Sequence, residues 1–180
     1  LSDDGVGIIR IENFSEHTSR LTLEALSSFA NAADSGHPYR GILLDLRGNS
    51  GGSLIQSAET ADLFLGDGEI VRTEGRNGGT VPNLVRSIGA HPAATPDEEP
   101  LLALVVMQNH KSASASEIVA GALASLGRAV IIGRTSYGKG TVQKLYTLRG
   151  GKDRARLKFT VAEYKLHDGR ADHGEGIAAD

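Results

Sequence analysis

Short apolar runs alternate along this chain with longer stretches in which apolar residues recur at helical spacing. Four runs are rich in aliphatic and β-branched residues and too short for a comfortable helix, so they predict buried strands. These runs are residues 6–11, 41–47, 101–107 and 129–133. Helices are predicted over 18–33, over 54–65 and from a cap at Ser114 to Gly127. The alternation of strands and helices predicts an α/β fold.

Further strand patterns occur without intervening helices. They lie at 70–73, 142–146 and 157–164, and residues 149–152 fit a hairpin turn. Glycine, proline and acidic residues interrupt 74–100, which we interpret as a long surface excursion with a short helix near Val85. The predicted fold class is therefore α/β, with a mixed sheet flanked by helices and extended by late antiparallel strands.

Composition narrows the functional classes. At 180 residues the chain is about one domain long, and its net charge of −3 comes with interspersed acidic and basic residues. No basic stripe favours a nucleic acid as partner. Cysteine is absent, which excludes disulfides and thiolate chemistry but fits the cytoplasm and an oxidising compartment equally well. No apolar run is long enough to predict a membrane span, and the start L-S-D-D is not the basic start of a signal peptide.

The predicted strand at 101–107 leads into alternating serine and alanine, S-A-S-A-S, at 112–116. Ser114, with Glu117 three residues later, has the capping-box pattern of a helix N-terminus. The alanines leave room around each hydroxyl, so a substrate carbonyl could approach a serine at a strand-to-helix turn, where helix N–H groups point towards it. On this stretch alone, the simpler interpretation of Ser114 as a helix cap is favoured.

Two other kinds of site are disfavoured. Residues 133–139 follow a strand and resemble a phosphate-binding loop, with Asp45 as the matching metal-strand aspartate. However, Gly140 stands where Ser or Thr is needed, and strand character follows, so no helix N-terminus could hold phosphate. The six histidines lack metal-site spacing, and His110, close to the serines, is interpreted as a solvated surface residue.

A serine nucleophile needs a base, and a lysine can serve where its surroundings favour the neutral amine. Lys139 is the candidate, because Gly138 and Gly140 on either side permit close backbone approach. If this segment is extended, Gln143 lies on the same face as Lys139 and could orient the amine by a hydrogen bond.

A glycine-rich loop, G-N-S-G-G, follows the predicted strand at 41–47. Backbone N–H groups of this loop, at Gly51 or Gly52, and that of Ala115 could stabilise the oxyanion of a tetrahedral intermediate. Each such donor usually stabilises the transition state by roughly 3 kcal/mol.

Three segments together resemble, in order and spacing, the carboxyl-terminal processing peptidases, which are tail-specific serine proteases with a Ser-Lys site. The segments are L-D-L-R-G-N-S-G-G at 44–52, S-A-S-A-S-E-I at 112–118 and Y-G-K-G-T-V-Q at 137–143. The resemblance covers nearly the whole chain, including G-E-G-I at 174–177. Any one segment would be weak evidence, but the combination is specific.

The resemblance implies a role for each matching residue. Ser114 is the nucleophile, Lys139 the general base, Gln143 the residue that positions the base, and Ala115 with Gly51 or Gly52 the oxyanion hole. It also implies a core of the ClpP and crotonase type, no metal or other cofactor, and cleavage of protein or peptide substrates near nonpolar C-termini. An extracytoplasmic location, in the periplasm or cell envelope, follows from the same resemblance, which also allows an oligomer.

The family normally has a PDZ domain before this core and continues beyond the G-I-x-x-D ending. We therefore expect residues 1–180 to form a single peptidase catalytic core domain without the PDZ domain or terminal extensions. Lys111 stands where the family usually has glycine, threonine or an apolar residue, and we expect it to face water. Two alternatives stay open: a noncatalytic ligand- or peptide-binding module on the same scaffold, and a crotonase-like acyl-CoA enzyme in which Lys139 has no task.

Overall fold

The computed structural model describes residues 1–66, 68–75, 78, 87–89, 102–148, 155–166, 168–169 and 173–180. Two predicted features lie outside these residues, namely the short helix near Val85 and the hairpin turn at 149–152. Most of the predicted excursion at 74–100 also lies outside them.

Eight strands and three helices make up the described part of the chain. In chain order they are β1 (Val6–Arg10), α1 (Thr18–Asp34), β2 (Gly41–Asp45), α2 (Leu54–Asp62), β3 (Glu69–Gly75), β4 (Ser87–Gly89), β5 (Ala103–Gln108), α3 (Ala115–Ser125), β6 (Val130–Gly133), β7 (Thr141–Thr147) and β8 (Arg156–Lys165). Apart from the short helix near Val85, the predicted helices and strands are confirmed to within three residues at their ends, whereas β4 was not predicted. Within the described ranges, no helix has both the length and the apolar character needed to cross a membrane.

The first sheet is entirely parallel, in the order β1-β2-β5-β6. Helix α1 connects β1 to β2 and helix α3 connects β5 to β6, since parallel neighbours need a crossover. Leu44 and Val106 of the sheet and Ile118 and Leu123 of α3 are fully buried in one core. Because β2 and β5 are parallel neighbours, the loops that follow them both leave the sheet at the carboxyl-terminal ends of its strands.

The late strands form a second sheet. Its order is β4-β3-β8-β7, and every neighbouring pair is antiparallel. The α/β class with helices and additional late strands is confirmed, but these strands pair with β3 rather than with the parallel sheet. Ile70 of β3 and Tyr164 of β8 are fully buried in the same core as Leu44, so the two sheets share one interior.

A buried aspartate at the end of β2 fixes the start of the glycine-rich loop. The carboxylate of Asp45 accepts hydrogen bonds from the backbone N–H of Arg47 at 3.0 Å, its Nε at 2.9 Å and its Nη2 at 2.8 Å. The side-chain hydrogen bonds from Arg47 lower the pKa of Asp45, although burial of the carboxylate acts in the opposite direction. The direction in which the chain leaves β2 therefore depends on a charged carboxylate.

Replacing Asp45 with asparagine should destabilise the fold in a pH-dependent way. We expect the free energy of unfolding to fall by about 1–2 kcal/mol near pH 7, a modest value because half of the Arg47 side chain is exposed. The folded-state pKa of Asp45 lies below its unfolded value, so its contribution is present above about pH 4 and is lost as the pH falls through the folded value. In urea unfolding, the difference in free energy of unfolding between the unaltered chain and Asp45→Asn should therefore shrink as the pH falls below about 4.

Asp34→Asn, at an exposed position of α1, is the matched control and should change the free energy of unfolding less at neutral pH. A destabilisation by Asp45→Asn that stays the same from neutral to acid pH would contradict a role for the charge on Asp45.

Candidate active site

The loop after β2 and the turn between β5 and α3 are joined through Asn49, whose side chain and backbone are fully buried. The Asn49 carbonyl accepts the N–H of Ala113 at 3.0 Å and the hydroxyl of Ser116 at 2.9 Å. Its side-chain amide donates to the carbonyl of Ile11 at 2.9 Å, just beyond β1. The glycine-rich loop and the start of α3 are therefore joined by hydrogen bonds at the carboxyl-terminal ends of β2 and β5.

The three serines of the S-A-S-A-S segment have different surroundings. Ser112 and Ser116 are each only 1% exposed, and their hydroxyls donate to the carbonyls of Leu46 and Asn49 at 2.8 and 2.9 Å. Ser114 is partly exposed. Its hydroxyl makes no side-chain capping hydrogen bond. Of the three serines, Ser114 is the one whose hydroxyl is available to a ligand.

The backbone of Ser114 is strained. Its φ of 56° and ψ of −113° make it the only non-glycine residue with positive φ in the described part of the chain. Such a conformation costs about 1–3 kcal/mol and persists where the surroundings impose it, most often at functional sites. Here the Ser114 N–H donates to Glu117 Oε2 at 2.6 Å, while the Ser114 carbonyl accepts the N–H of Glu117 at 2.8 Å. The carboxylate half of the predicted capping box is thus formed.

Glu117 connects this turn to the segment between β6 and β7. It is completely buried, and its partners are N–H and O–H donors. Oε1 accepts from Ser136 Oγ and from Gly138 N, both at 2.5 Å, and Oε2 accepts from Ser114 N at 2.6 Å and from Lys139 N at 2.9 Å. Because the amides of Ser114 and Lys139 share one oxygen, their nitrogens cannot be further apart than the sum of those two bonds. Two residues that are distant in the sequence are therefore neighbours.

Residues 173–177 support the Lys139 segment. The N–H of Gly174 donates to the Gly138 carbonyl at 2.8 Å, and the N–H of Ile177 donates to Ser136 Oγ at 2.7 Å. Lys139 itself is partly buried, whereas Gln143 lies further along β7 and is exposed. The structure thus brings the backbone of Lys139 to that of Ser114, and Gln143 follows on the strand that begins beside Lys139.

The glycine-rich loop makes a close approach to the turn. A Cβ added at Gly51 would lie 2.9 Å from Ser114 Cβ and 3.2 Å from Ala115 N, so this position requires glycine. The Gly51 N–H already donates to Asn49 Oδ1 at 2.8 Å. The N–H of Ala115, in the first turn of α3, and that of Gly52 have no hydrogen-bond partner among the described residues. Of the N–H groups considered for an oxyanion hole, those of Ala115 and Gly52 are therefore available, whereas that of Gly51 is not.

The disfavoured alternatives find no support in the geometry. Residues 141–147, beyond the segment that resembles a phosphate-binding loop, form β7 and not a helix, so no helix N-terminus is available for phosphate. His110 and Lys111 are both exposed, as expected. Within the ranges that the structure describes, no group of three or more His, Asp or Glu side chains could hold a metal ion.

Sequence reasoning missed the second role of Glu117. The Ser-x-x-Glu spacing was a signal for the helix cap, but nothing in it indicated that the same carboxylate binds the Lys139 segment. The contributions of Asn49, Ser136 and the closing 174–177 segment were also missed, because they depend on contacts between residues remote in sequence.

Nearly the whole chain is similar to known proteases. The model for "Peptidase family S41" matches residues 5–180. The carboxy-terminal-processing protease of Bartonella bacilliformis is 39% identical over 175 residues, which are 97% of this chain and 38% of that protein. The carboxy-terminal processing protease CtpA of Bacillus subtilis is 33% identical over 178 residues, which are 98% of this chain and 34% of that protein. The chain thus spans about a third of the length of these relatives.

A solved structure, the photosystem II D1 C-terminal processing protease, has the same fold. Its TM-score is 0.77 at 27% sequence identity, and the match covers 97% of this chain and 41% of that one. The resemblance to carboxyl-terminal processing peptidases is therefore confirmed by sequence and by fold. Since the family model covers nearly every residue and the relatives exceed 30% identity, this chain belongs to peptidase family S41.

Proposed function

We propose that this chain is the catalytic core of a serine endopeptidase that cleaves protein substrates near their C-termini by a Ser-Lys mechanism. Membership of the S41 family supports peptidase chemistry. The observation that carries the residue assignment is the single Glu117 oxygen that accepts the N–H groups of both Ser114 and Lys139. It holds a partly exposed serine with a strained backbone beside the lysine segment.

In the first step, Ser114 Oγ attacks the carbonyl carbon of the scissile peptide bond, and its proton passes to the neutral amine of Lys139. Gln143 orients that amine. The carbonyl oxygen becomes an oxyanion, which the N–H groups of Ala115 and Gly52 stabilise. We assign Gly52 rather than Gly51 to this role because the Gly51 N–H is already bonded to Asn49.

Collapse of the tetrahedral intermediate breaks the C–N bond, and the proton on Lys139 passes to the leaving amine. The product is an acyl-enzyme ester on Ser114. Water then attacks this ester and gives a proton to Lys139. Collapse of the second tetrahedral intermediate breaks the ester C–O bond, releases the carboxylate product and returns the proton from Lys139 to Ser114 Oγ, which regenerates the hydroxyl and the neutral amine. No metal or other cofactor is needed for any of these steps.

The substrate class is inferred from the relatives. Those from Bartonella bacilliformis and Bacillus subtilis are named carboxy-terminal processing proteases. We propose that the present chain likewise cleaves unstructured, nonpolar C-terminal regions of proteins, and that it does so on the extracytoplasmic side of the cell.

Labelling by a serine-directed fluorophosphonate tests the proposed dyad. Ser114→Ala should abolish labelling and cleavage of an unstructured peptide with a nonpolar C-terminus. Lys139→Met should lower both by about 10²–10⁴-fold, the usual contribution of a general base. Mass spectrometry of the labelled protein should locate the adduct on Ser114.

Lys111→Met is the matched control, since Lys111 is an exposed lysine three residues from Ser114. Its labelling rate should stay within about twofold of the unaltered chain. A folded Lys139→Met variant that labels as fast as this control would contradict the dyad. An unaltered chain that does not label at all would favour the noncatalytic binding module.

Glu117→Gln should impair both stability and activity. A glutamine at this position would direct an NH₂ group at N–H donors that now bind a carboxylate oxygen, leaving buried groups unsatisfied. We expect a loss of about 3 kcal/mol in the free energy of unfolding and at least about a tenfold fall in the labelling rate of the folded fraction. Urea unfolding and labelling kinetics measure the two effects separately.

Tyr164→Phe is the corresponding control, because the Tyr164 hydroxyl is 3.5 Å from Glu117 Oε2 and its removal leaves the N–H contacts in place. Its effect on labelling should be smaller than that of Glu117→Gln. If folded Glu117→Gln labels at the rate of the unaltered chain, Glu117 does not position the two reactive residues.

A further inference from the structure

Strand β7 lies at the edge of the antiparallel sheet and begins two residues after Lys139. It pairs with β8 on one side. On its other side, the backbone has no partner strand among the described residues. Among the described residues, this edge of β7 is therefore open, and it begins close in sequence to Lys139 of the candidate site.

The hydrogen bonds at the two ends of β7 fix the orientation of its backbone. The Gly140 carbonyl accepts the N–H of Tyr164 at 3.0 Å, and the N–H of Leu148 donates to the Ala155 carbonyl at 2.9 Å. In an antiparallel pair, alternate residues bond to the neighbouring strand and those between them point away from it. Alternate residues of β7 can be counted from Gly140 or from Leu148, and both counts assign the same residues to the side that faces β8. They agree because the register shift at Val142–Gln143 places the extra residue on β8 and not on β7.

The N–H and C=O groups that point towards the open edge are therefore those of Thr141, Gln143, Leu145 and Thr147. None of them has another backbone partner among the residues that the structure describes. They form a row of donors and acceptors that repeats every second residue. An extended peptide added as a further strand has the complementary pattern.

The edge lacks the usual protection against such pairing. Exposed edges are commonly blocked by proline, by several charges or by a bulge on the edge strand itself. Residues 141–147 contain no proline and one charged residue, Lys144, and the bulge is on β8.

Large apolar side chains are exposed on both faces beside the edge, although basic residues lie among them, namely Lys144 on β7 and Lys158 opposite Leu145. Leu145 on one face is 59% exposed. On the other face Tyr146 is 43% and Phe159 is 52% exposed, and their rings are in edge-to-face contact at 6.1 Å between centroids. Alternate side chains of a bound strand would lie against these two faces, which favours an apolar peptide.

We infer that β7 is the substrate-binding strand, on which an extended apolar peptide pairs through its main chain and is led to Ser114. This inference rests on the proposed peptidase function, and it adds the binding mode and the residues that provide it. It assigns recognition to the backbone of β7, so sequence preference is weak and the requirement for an unstructured segment is strict.

Peptide binding to the Ser114→Ala variant tests the inference without turnover. Fluorescence anisotropy would measure the Kd of a labelled unstructured apolar peptide and of a series in which one residue at a time is N-methylated. We expect the affinity to fall about fivefold or more at every second position and to change within about twofold between them, as main-chain pairing requires. A loss without this period of two overturns the inference.

A second comparison uses Leu145→Pro and Leu145→Ala, each in the Ser114→Ala background. Both remove the leucine side chain, but only proline removes the outward N–H, and an outward edge position tolerates proline. Leu145→Pro should bind the peptide about fivefold more weakly than Leu145→Ala, and equal affinities would contradict the edge as binding site. If Leu145→Pro does not fold, the N-methyl series still decides.

The two proposals fail in different ways. In one outcome, the Ser114→Ala variant binds the N-methylated peptides with the alternating loss of affinity while the unaltered chain is not labelled. That result would refute the dyad and support the binding strand. Labelling at Ser114 with no alternation in the N-methyl series would refute the binding strand and leave the dyad.

Discussion

A carboxylate removed from water costs free energy unless hydrogen-bond donors surround it, and Glu117 meets this condition with donors from two segments of the chain. Three of them are backbone N–H groups, whose positions are fixed by the fold rather than by side-chain rotamers. The relative placement of Ser114 and Lys139 is therefore set mainly by the main chain. This explains how the strained backbone of Ser114 is maintained.

In the rest of the site, too, buried polar side chains hold the backbone in place. Buried polar side chains bind backbone groups, as Asn49, Ser112 and Ser116 do on the loop and turn. The groups left available are the Ser114 hydroxyl, the donors of Ala115 and Gly52, and the open edge of β7. Asp45 contributes from further away, because its contact with Arg47 fixes where the loop begins.

The sequence predicted local structure well, because apolar periodicity is a local property. Runs such as 101–107 and the capped stretch from Ser114 indicated a strand and a helix correctly. It did not predict that β8 pairs with β3, since the choice of partner depends on packing in the common core. Membership of the family was also accessible, because three short segments carry it.

Other aspects of the site could not be predicted from the pattern. Three serines alternate in one segment. The spacing to Glu117 and the family resemblance singled out Ser114, but its partial exposure and its positive φ required the structure. Gly51 and Gly52 are equivalent in sequence, and the difference between them arises because Asn49 turns its side-chain oxygen towards the first. The role of Glu117 towards Lys139 required the fold itself.

The contacts of Glu117 determine at which stage of synthesis and folding the candidate site can be completed. During synthesis, the serine leaves the ribosome before the lysine and well before residues 174–177, which hold the lysine segment in place. A partly synthesised chain therefore lacks the segment that Glu117 binds next to Ser114. The arrangement of Ser114 beside Lys139 is thus completed late, as a property of the whole fold.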